Sequence, residues 1–539
     1  MQGLERTHVG PEVVHATPYP WILAVPQRET EKAFDLDLNS RGHFVDRPAQ
    51  LLHFEYTNDP DYPIHALVKN LFSHVTSVYR CKYLIGSDGA GSTTRGILDI
   101  HSESNEQDDV WIVADMELKT DFPDHRRRAV IRSPSGVMMM IPNSGGGNRV
   151  YTQLSAKELV TLGSIDSGDL SKPEDRLTRI EWKDATLLDI LHTRLKEVLA
   201  PYTTFIKKLQ WISQYRVKQR IVDQFSDRAR IFVTGDACHT HSPKAAQGLN
   251  ISMMDAYNLT WKLALVLSGR AKPGILDTYN KERRQIAQEL IDFDRKFSHL
   301  FSQKEFLDNN SQFHDVYKKA HGFTTGLGLR YDHNPLIEHD VDVSINEQSL
   351  EPLTPGKRLN TLTVTQHIDG IVVNMLDELP SNGRFHLFIF AGNTFSQDRD
   401  KSFAKYLSSA DSVLSRYSLP DSPDWAFENI RETNPNNSGR TVDLFFIHTD
   451  SHYDFDLAKM PAPLPSWTYR VYTDKYGKEH ESHGVDPNIG AMALVRPDGY
   501  ISLITGMDGG PTVTKFMDSF MNVPQSMSAD ASDGGRGGD

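Results

Sequence analysis

Gly235-Asp236 through Asn250 is the stretch whose residue types and spacing suggest chemistry most directly. Asp236 falls at the end of a strand-like run, where a carboxylate can accept hydrogen bonds from a chain of sugar-like hydroxyls. Gly235 has no Cβ and lets a ligand approach the backbone closely. Pro243 fixes the loop, and Ala246-Gln247-Gly248-Leu249-Asn250 opens the next helix. The unpaired N–H groups and positive dipole end of such a helix favour a partly anionic ring or oxygen. Spacing alone leaves a second reading open, an ordinary strand–loop–helix turn with Asp236 as its cap.

A second candidate lies on a hairpin. Tyr151 offers a phenol that could hydrogen-bond a ligand hydroxyl, although a strand tyrosine is more often a packing residue. Arg149, two residues away, shares its strand face. A third candidate, Asp88-Gly89, lies between a strand and a helix, a weak signal alone because many α/β turns read this way. His239 and His241 flank one threonine, but no further ligands stand at metal-binding spacing. They are expected to be a surface or hydrogen-bonded loop pair, and no metal is expected. Cys81 and Cys238, the only cysteines, read as plain buried thiols and cannot form a disulfide framework. Arg126-Arg127-Arg128 reads as a solvated loop.

The elements that must position these residues can be sketched from pattern. Trp21 to Val25 is expected to be a strand, Ile64 to Phe72 a short helix, and Arg80 to Gly86 a strand. A helix should start after Ser92 as its N-cap. Trp111–Met116, Gly136–Pro142 and Arg149–Leu154 read as strands, the last pair joined by the glycine-rich turn at Asn143–Asn148. Ala229–Val233 is a further strand, followed by a helix from Leu249 to Ser268 closed by Gly269. A charged amphipathic helix over 277–301 carries Ile286, Leu290, Phe293, Phe297 and Leu300 on one face, a core or interdomain stripe. Residues 325–350 form a candidate linker. The following α/β unit has strands Phe385–Phe390, Val442–Ile447, Ala491–Val495 and Tyr500–Leu503, and a helix over 401–416. The Gly-, Asp- and Ser-rich tail from Ser526 is expected to be disordered.

The net charge of −13 argues against nucleic-acid and anionic-membrane partners, which need a basic surface. No apolar run approaches the ~20 residues that span a bilayer. With few cysteines and no apolar leader-like start, a reducing, cytoplasmic location is expected.

Taken together, the motifs resemble those of the phenol 2-monooxygenase-like branch of the class A flavoprotein hydroxylases, fungal members in particular. Ile231 to Leu267 resembles that family's second FAD motif almost throughout. Cys81-Lys82-Tyr83-Leu84-Ile85-Gly86-Ser87-Asp88-Gly89-Ala90 resembles its Asp-Gly motif, and Ala287 to Ser298 a string distinctive of the branch. Val495-Arg496-Pro497-Asp498-Gly499-Tyr500 is similar to the signature of its C-terminal thioredoxin-like domain. Gln27 and Glu31 are similar to a Gln-x-x-x-Glu pair near the flavin. The similarity runs from about residue 20 to 525.

The resemblance implies an α/β fold with α+β elements: an incomplete Rossmann-type FAD-binding domain, an inserted antiparallel substrate-domain sheet, and a C-terminal thioredoxin-like domain. Expected boundaries are 1–109 and 221–335 for the FAD-binding parts and 110–220 for the substrate sheet. The dimerisation domain should occupy 350–525 and the tail 526–539. The implied activity is FAD- and NADPH-dependent hydroxylation of a phenolic substrate by a C4a-hydroperoxyflavin, with O2 as co-substrate, a homodimer as the assembly, and secondary metabolism as the setting. Implied cofactor contacts are Gln27, Asp88, Gly89, Tyr151, Gly235, Asp236, Pro243, Ala246, Gln247, Gly248, Leu249 and Asn250. Tyr151 would face substrate and flavin together, with Arg149 beside it.

Three departures from the family pattern stand out. No G-x-G-x-x-G phosphate loop precedes these motifs, and the family's opening strand, glycine loop and ribose-binding acid are expected N-terminal to what is read here. Asn143 stands where the family carries an arginine, and Ala246 where a glycine is common. The missing loop leaves an alternative open, a flavin-deficient, non-redox relative acting as a scaffold or in a non-oxidative step.

Overall fold

A computed structural model describes residues 17–21, 23–143, 145–166, 173–242, 247–302, 321–379, 381–393, 397–418, 440–460 and 470–524, with Leu4, Arg6, Ala462 and Pro465. Pro243 and Ala246 of the central motif lie outside the described residues, as does the tail from Ser526.

The candidate site is organised by a six-stranded antiparallel sheet. Its spatial order is His239–Thr240, Thr204–Val222, Ser102–Thr120, Asn148–Gln153, Gly136–Pro142 and Ala129–Ser133. The expected hairpin is present, with Met139 opposite Tyr151. Period-two alternation splits the sheet into unlike faces. Val110, Ile112, Ala114, Met116, Met138, Met140 and Val150 point into one core, closed by Leu187, Leu191, Leu195 and Val198 from the helix Pro173–Val198. The other face carries Trp111, Val113, Asp115, Arg149, Tyr151, Ser213 and Tyr215, as the register requires.

Beside this sheet, Ile231–Val233 runs parallel to Leu84–Gly86 and antiparallel to Ser226–Asp227. The helices Gly248–Leu267 and Asp277–Ser302 pack here, their Leu259, Leu263, Ala287 and Ile291 joining Phe232 and Val233 in one core. Gly269, at φ +71°, ends the first helix as expected. Of the amphipathic stripe, Ile286 and Leu290 are fully buried against Tyr331, Ile337 and Tyr500, an interdomain contact.

The C-terminal sheet has seven strands. Phe385–Gly392 and Val442–His448 form a central parallel pair, and Ala491–Val495 and Ile501–Thr505 follow antiparallel. Every residue of these four strands is buried, because Phe403, Leu407, Val513 and Met517 from two helices cover one face and Leu353, Leu359, Leu362 and Met375 the other. This is the thioredoxin-like arrangement expected. Trp261, Leu265 and Ile275 from the first half join its core directly.

Several local expectations fail. Ile64–Asn70 is a strand, the middle of an antiparallel three-stranded sheet with Ala49–Tyr56 and Thr76–Cys81. Burial of Ile64 and Ala66 at alternate positions shows that strand pairing overrode helical propensity. Leu23 and Val25 are exposed and belong to no strand. The single strand expected over 80–86 is two, broken at Lys82-Tyr83 and assigned to different sheets. The helix expected over 401–416 divides into Gln397–Leu407 and Val413–Arg416, since the Ser412 side chain caps the second piece. The expected linker is not a solvated tether: Leu329, Tyr331, Leu336 and Ile337 are buried. Cys238 is buried, whereas Cys81 is only half-buried.

Candidate active site

The flavin-motif junction rests on one carboxylate. Gly235 sits at φ +59° in a single 3-10 turn, Gly235–Ala237, and a Cβ there would come within 2.9 Å of Ser252 Oγ. Its N–H donates to Asp255 Oδ2 at 3.1 Å. The same oxygen lies 2.8 Å from His239 Nε2, and Asp255 Oδ1 accepts from Arg283 Nε at 2.6 Å. Asp255, Arg283 and His239 are all buried. Burial opposes ionisation of Asp255, but the adjacent Arg283 and His239 outweigh it and hold the carboxyl below its usual range.

This turn leaves Asp236 exposed, its carboxylate with no hydrogen-bond partner among the described residues. Past the loop, the helix Gly248–Leu267 begins without a side-chain cap, with Leu249 and Asn250 exposed in its first turn. Gln247 is turned inward, donating to the Thr324 carbonyl at 3.0 Å. Ser242 is tied to the buried Asp294, which also accepts from Gln219 Nε2 at 2.7 Å.

Cys238, His239 and Asp255 place donor atoms within 4.8 Å of one another, the one metal-like grouping among the described residues. The Arg283 guanidinium on the same carboxylate makes it an ion-pair network. Burial also pushes the Cys238 thiol well up, away from the thiolate a metal needs. His239 and His241 are each hydrogen-bonded, to Asp255 and to the Ser242 carbonyl, and both are buried and not on the surface.

The sheet face adjoins this loop as a second wall, His239 and Thr240 pairing with Ile221 and Arg220. Arg149 and Asp115 face each other across adjacent strands, and Arg149 donates from Nε and Nη2 to the two Asp115 oxygens at 2.7 Å each. Its guanidinium lies 5.9 Å from the Trp211 ring. Tyr151 is pushed up by burial, with the Arg149 charge opposing, so its phenol stays protonated. Sequence reading missed Tyr215. Its hydroxyl donates to the His241 carbonyl at 3.0 Å. Burial and the charges of Asp236 and Asp294 push it up to about 12. Tyr215 therefore bridges the sheet wall and the motif loop. A signal existed: Trp211, Ser213 and Tyr215 alternate along one strand.

Other expected site residues are placed differently. Asp88 is used locally. It accepts from Ser92 Oγ at 2.5 Å and from Thr94 N at 2.9 Å, fixing the helix Thr93–Ile97 with Ser92 as the expected N-cap. Burial raises its carboxyl, but these bonds outweigh that and hold it low. Gly89 adopts φ +78° in the turn. Gln27 lies on the helix Gln27–Ser40, which buries no residue, and donates to Glu31 at 3.1 Å. Asn143 closes the hairpin turn by accepting from Gly145 N and Gly147 N at 3.1 and 3.0 Å.

A two-walled site of this kind, under a thioredoxin-like domain, belongs to the flavoprotein hydroxylase architecture. The solved structure of aklavinone-11 hydroxylase with FAD and aklavinone shares the fold, with a TM-score of 0.63 at 18% identity, over 93% of this chain and 79% of that one. Residues 3–294 match the FAD binding domain family, and residues 329–525 the phenol hydroxylase C-terminal dimerisation domain family. A phenol 2-monooxygenase of Aspergillus fumigatus is 32% identical over 86% of this chain and 74% of its own length. An FAD-dependent monooxygenase of Aspergillus terreus is 32% identical over 93% of this chain and 78% of its own. The chain belongs to the FAD-dependent aromatic monooxygenases of the phenol 2-monooxygenase type, and its cofactor is FAD. These matches do not favour the flavin-deficient alternative. No helix among the described residues is long and apolar enough to cross a membrane.

Proposed function

We propose that this chain hydroxylates an uncharged phenolic ring, with NADPH and O2 as co-substrates and a homodimer as the working assembly. The residues present fit FAD at its ring and ribityl end. Asp236 offers an exposed carboxylate to ribityl hydroxyls, the buried Gly235 holds the turn that presents it, and the helix start at Gly248–Asn250 suits the polar ring edge. Pro243, Ala246, Asp88, Gly89 and Gln27 would supply further FAD contacts. When bound and reduced, FAD supplies the activated oxygen for hydroxylation.

The chain's own residues bind and orient the ring. The observation that carries the reading is the Tyr151 phenol, kept protonated on an aromatic sheet wall beside an arginine already neutralised by Asp115. Tyr151 can donate to a substrate phenol oxygen and stabilise the phenolate character that activates the ring. Arg149 holds its charge near that oxygen but spends two donors on Asp115, so it offers little to a substrate carboxylate. Trp211 gives the wall an exposed flat apolar ring, with Trp111 and Val113 buried on the same face behind it.

The test is NADPH oxidation by purified, FAD-loaded protein. A neutral phenol should stimulate it and yield a hydroxylated product in proportion, and a benzoate of similar size should do so poorly. Equal stimulation by the carboxylate, or none by any phenol, would overturn the reading.

A further inference from the structure

The C-terminal domain touches the Gly235-Asp236 turn through an unbroken run of buried groups. Arg496 is fully buried, donating from Nε and Nη2 to Asp498 at 3.0 and 2.6 Å and from Nη1 to Glu282 at 2.5 Å. Its guanidinium lies 5.3 Å from the Tyr331 ring and 5.7 Å from the Tyr500 ring. Those rings are 4.4 Å apart. The Tyr331 hydroxyl accepts from Arg283 Nη1 at 2.8 Å, and Arg283 holds Asp255, which holds the Gly235 N–H. Glu282 and Arg283 are adjacent on one helix, the first facing the C-terminal domain and the second the motif turn. Trp261 Nε1 and Lys262 Nζ complete the cluster through Asp498 and Glu282. The Arg496-Pro497-Asp498-Gly499 turn is thus an interdomain clamp.

We infer that Tyr331 and Arg496 are positioning residues for the flavin-binding turn, so that the domain matched as a dimerisation domain also sets FAD affinity. The inference rests on the reading of Asp236 as a flavin contact. Fully buried hydrogen-bonded networks have few alternative arrangements, because each unpaired member is costly. Deleting one member releases the next along the run. Removal of the Tyr331 hydroxyl leaves Arg283 Nη1 without its acceptor, and Arg283 is what orients Asp255 toward Gly235.

The experiment uses the full chain with Tyr331→Phe, which deletes one oxygen and preserves the ring contacts, and Arg496→Met as the more disruptive variant. Two quantities are read. Hydrogen exchange of the amides at 235–238 in the FAD-free protein reports the turn, with the strand Ile501–Thr505 as an internal control. Flavin fluorescence quenching reports FAD affinity. Tyr331→Phe should raise exchange at 235–238 and leave the control strand unchanged, while weakening FAD binding about tenfold, the effect of one hydrogen bond to a charged group. Unchanged exchange at 235–238 overturns the inference whatever FAD does, and so does faster exchange with FAD affinity within twofold of the parent. If the parent chain itself takes up no FAD while exchange still responds, the wiring stands and the flavin reading of Asp236 is what fails. If Arg496→Met does not fold, Tyr331→Phe alone decides.

Discussion

The two walls of the site are built from opposite physics. The junction wall at Gly235–Ser242 is held from behind by a buried ionic network: Asp255 and Arg283 with the hydrogen-bonded His239, then Glu282, Lys262 and Arg496. The sheet wall is aromatic and partly exposed, with Trp211 open to solvent, Tyr215 only about one-third exposed at 36%, and the ion pair Arg149–Asp115 on the surface it presents. A buried charge network tolerates little change, since each partner lost leaves an uncompensated charge. An aromatic strand face tolerates changes of side chain while the backbone stays paired. The contrast suits the proposed division, in which one wall fixes the cofactor and the other chooses the substrate.

The comparison breaks most readily at Asp255. Asp255→Ala strands Arg283 and frees Gly235 N–H, and should destabilise the fold by about 3–5 kcal/mol, read by urea unfolding. A loss near that of a surface substitution would show that the junction is not held by charge. On the sheet wall, Tyr151→Phe should leave stability nearly unchanged while lowering turnover about 10- to 100-fold, from loss of a hydrogen bond to a developing anion. If unfolding shifts and turnover does not, Tyr151 is a packing residue. Gly235→Ala should cost about 1–2 kcal/mol for a left-handed backbone at a non-glycine residue, beyond the displacement of Ser252. Thermal melts of the apoprotein measure it.

The smallest effect concerns Tyr215, which joins the walls. Burial and nearby carboxylates push its phenol up to about 12 from an ordinary 10.0, so the folded state keeps the proton longer than the unfolded chain. The group's contribution to stability is complete below pH 10 and falls as pH rises from there toward 12. Spectroscopic alkaline titration should show the parent and Tyr215→Phe alike near pH 10, with the variant lacking one tyrosine that ionises toward pH 12.

The sequence displayed the junction clearly and its support hardly at all. Gly235, Asp236 and the helix start announce themselves by residue type and spacing, and Arg149 and Tyr151 by alternation. Asp255 and Arg283 sit as isolated polar residues on buried helix faces, and only the fold shows that they meet. The Arg496-Pro497-Asp498-Gly499 string was visible as a motif, but its purpose depends on Glu282, 214 positions away. Ile64–Asn70 was misread because its partners, Ala49–Tyr56 and Thr76–Cys81, decide its conformation. Asp88 has a local duty that the sequence only partly displayed: its oxygens accept from Ser92 and Thr94 and fix the start of the next helix.

The central claim is that Asp236 on a rigid junction holds FAD, while the Tyr151 wall serves the substrate. FAD titration of the apoprotein tests it most directly, comparing the parent with Asp236→Asn and Tyr151→Phe by flavin fluorescence. Saturable binding weakened about tenfold or more in Asp236→Asn, as loss of charge-assisted hydrogen bonds requires, and within about threefold of the parent in Tyr151→Phe is the predicted result. Binding indifferent to Asp236, or lost equally in both variants, would contradict the division between the walls.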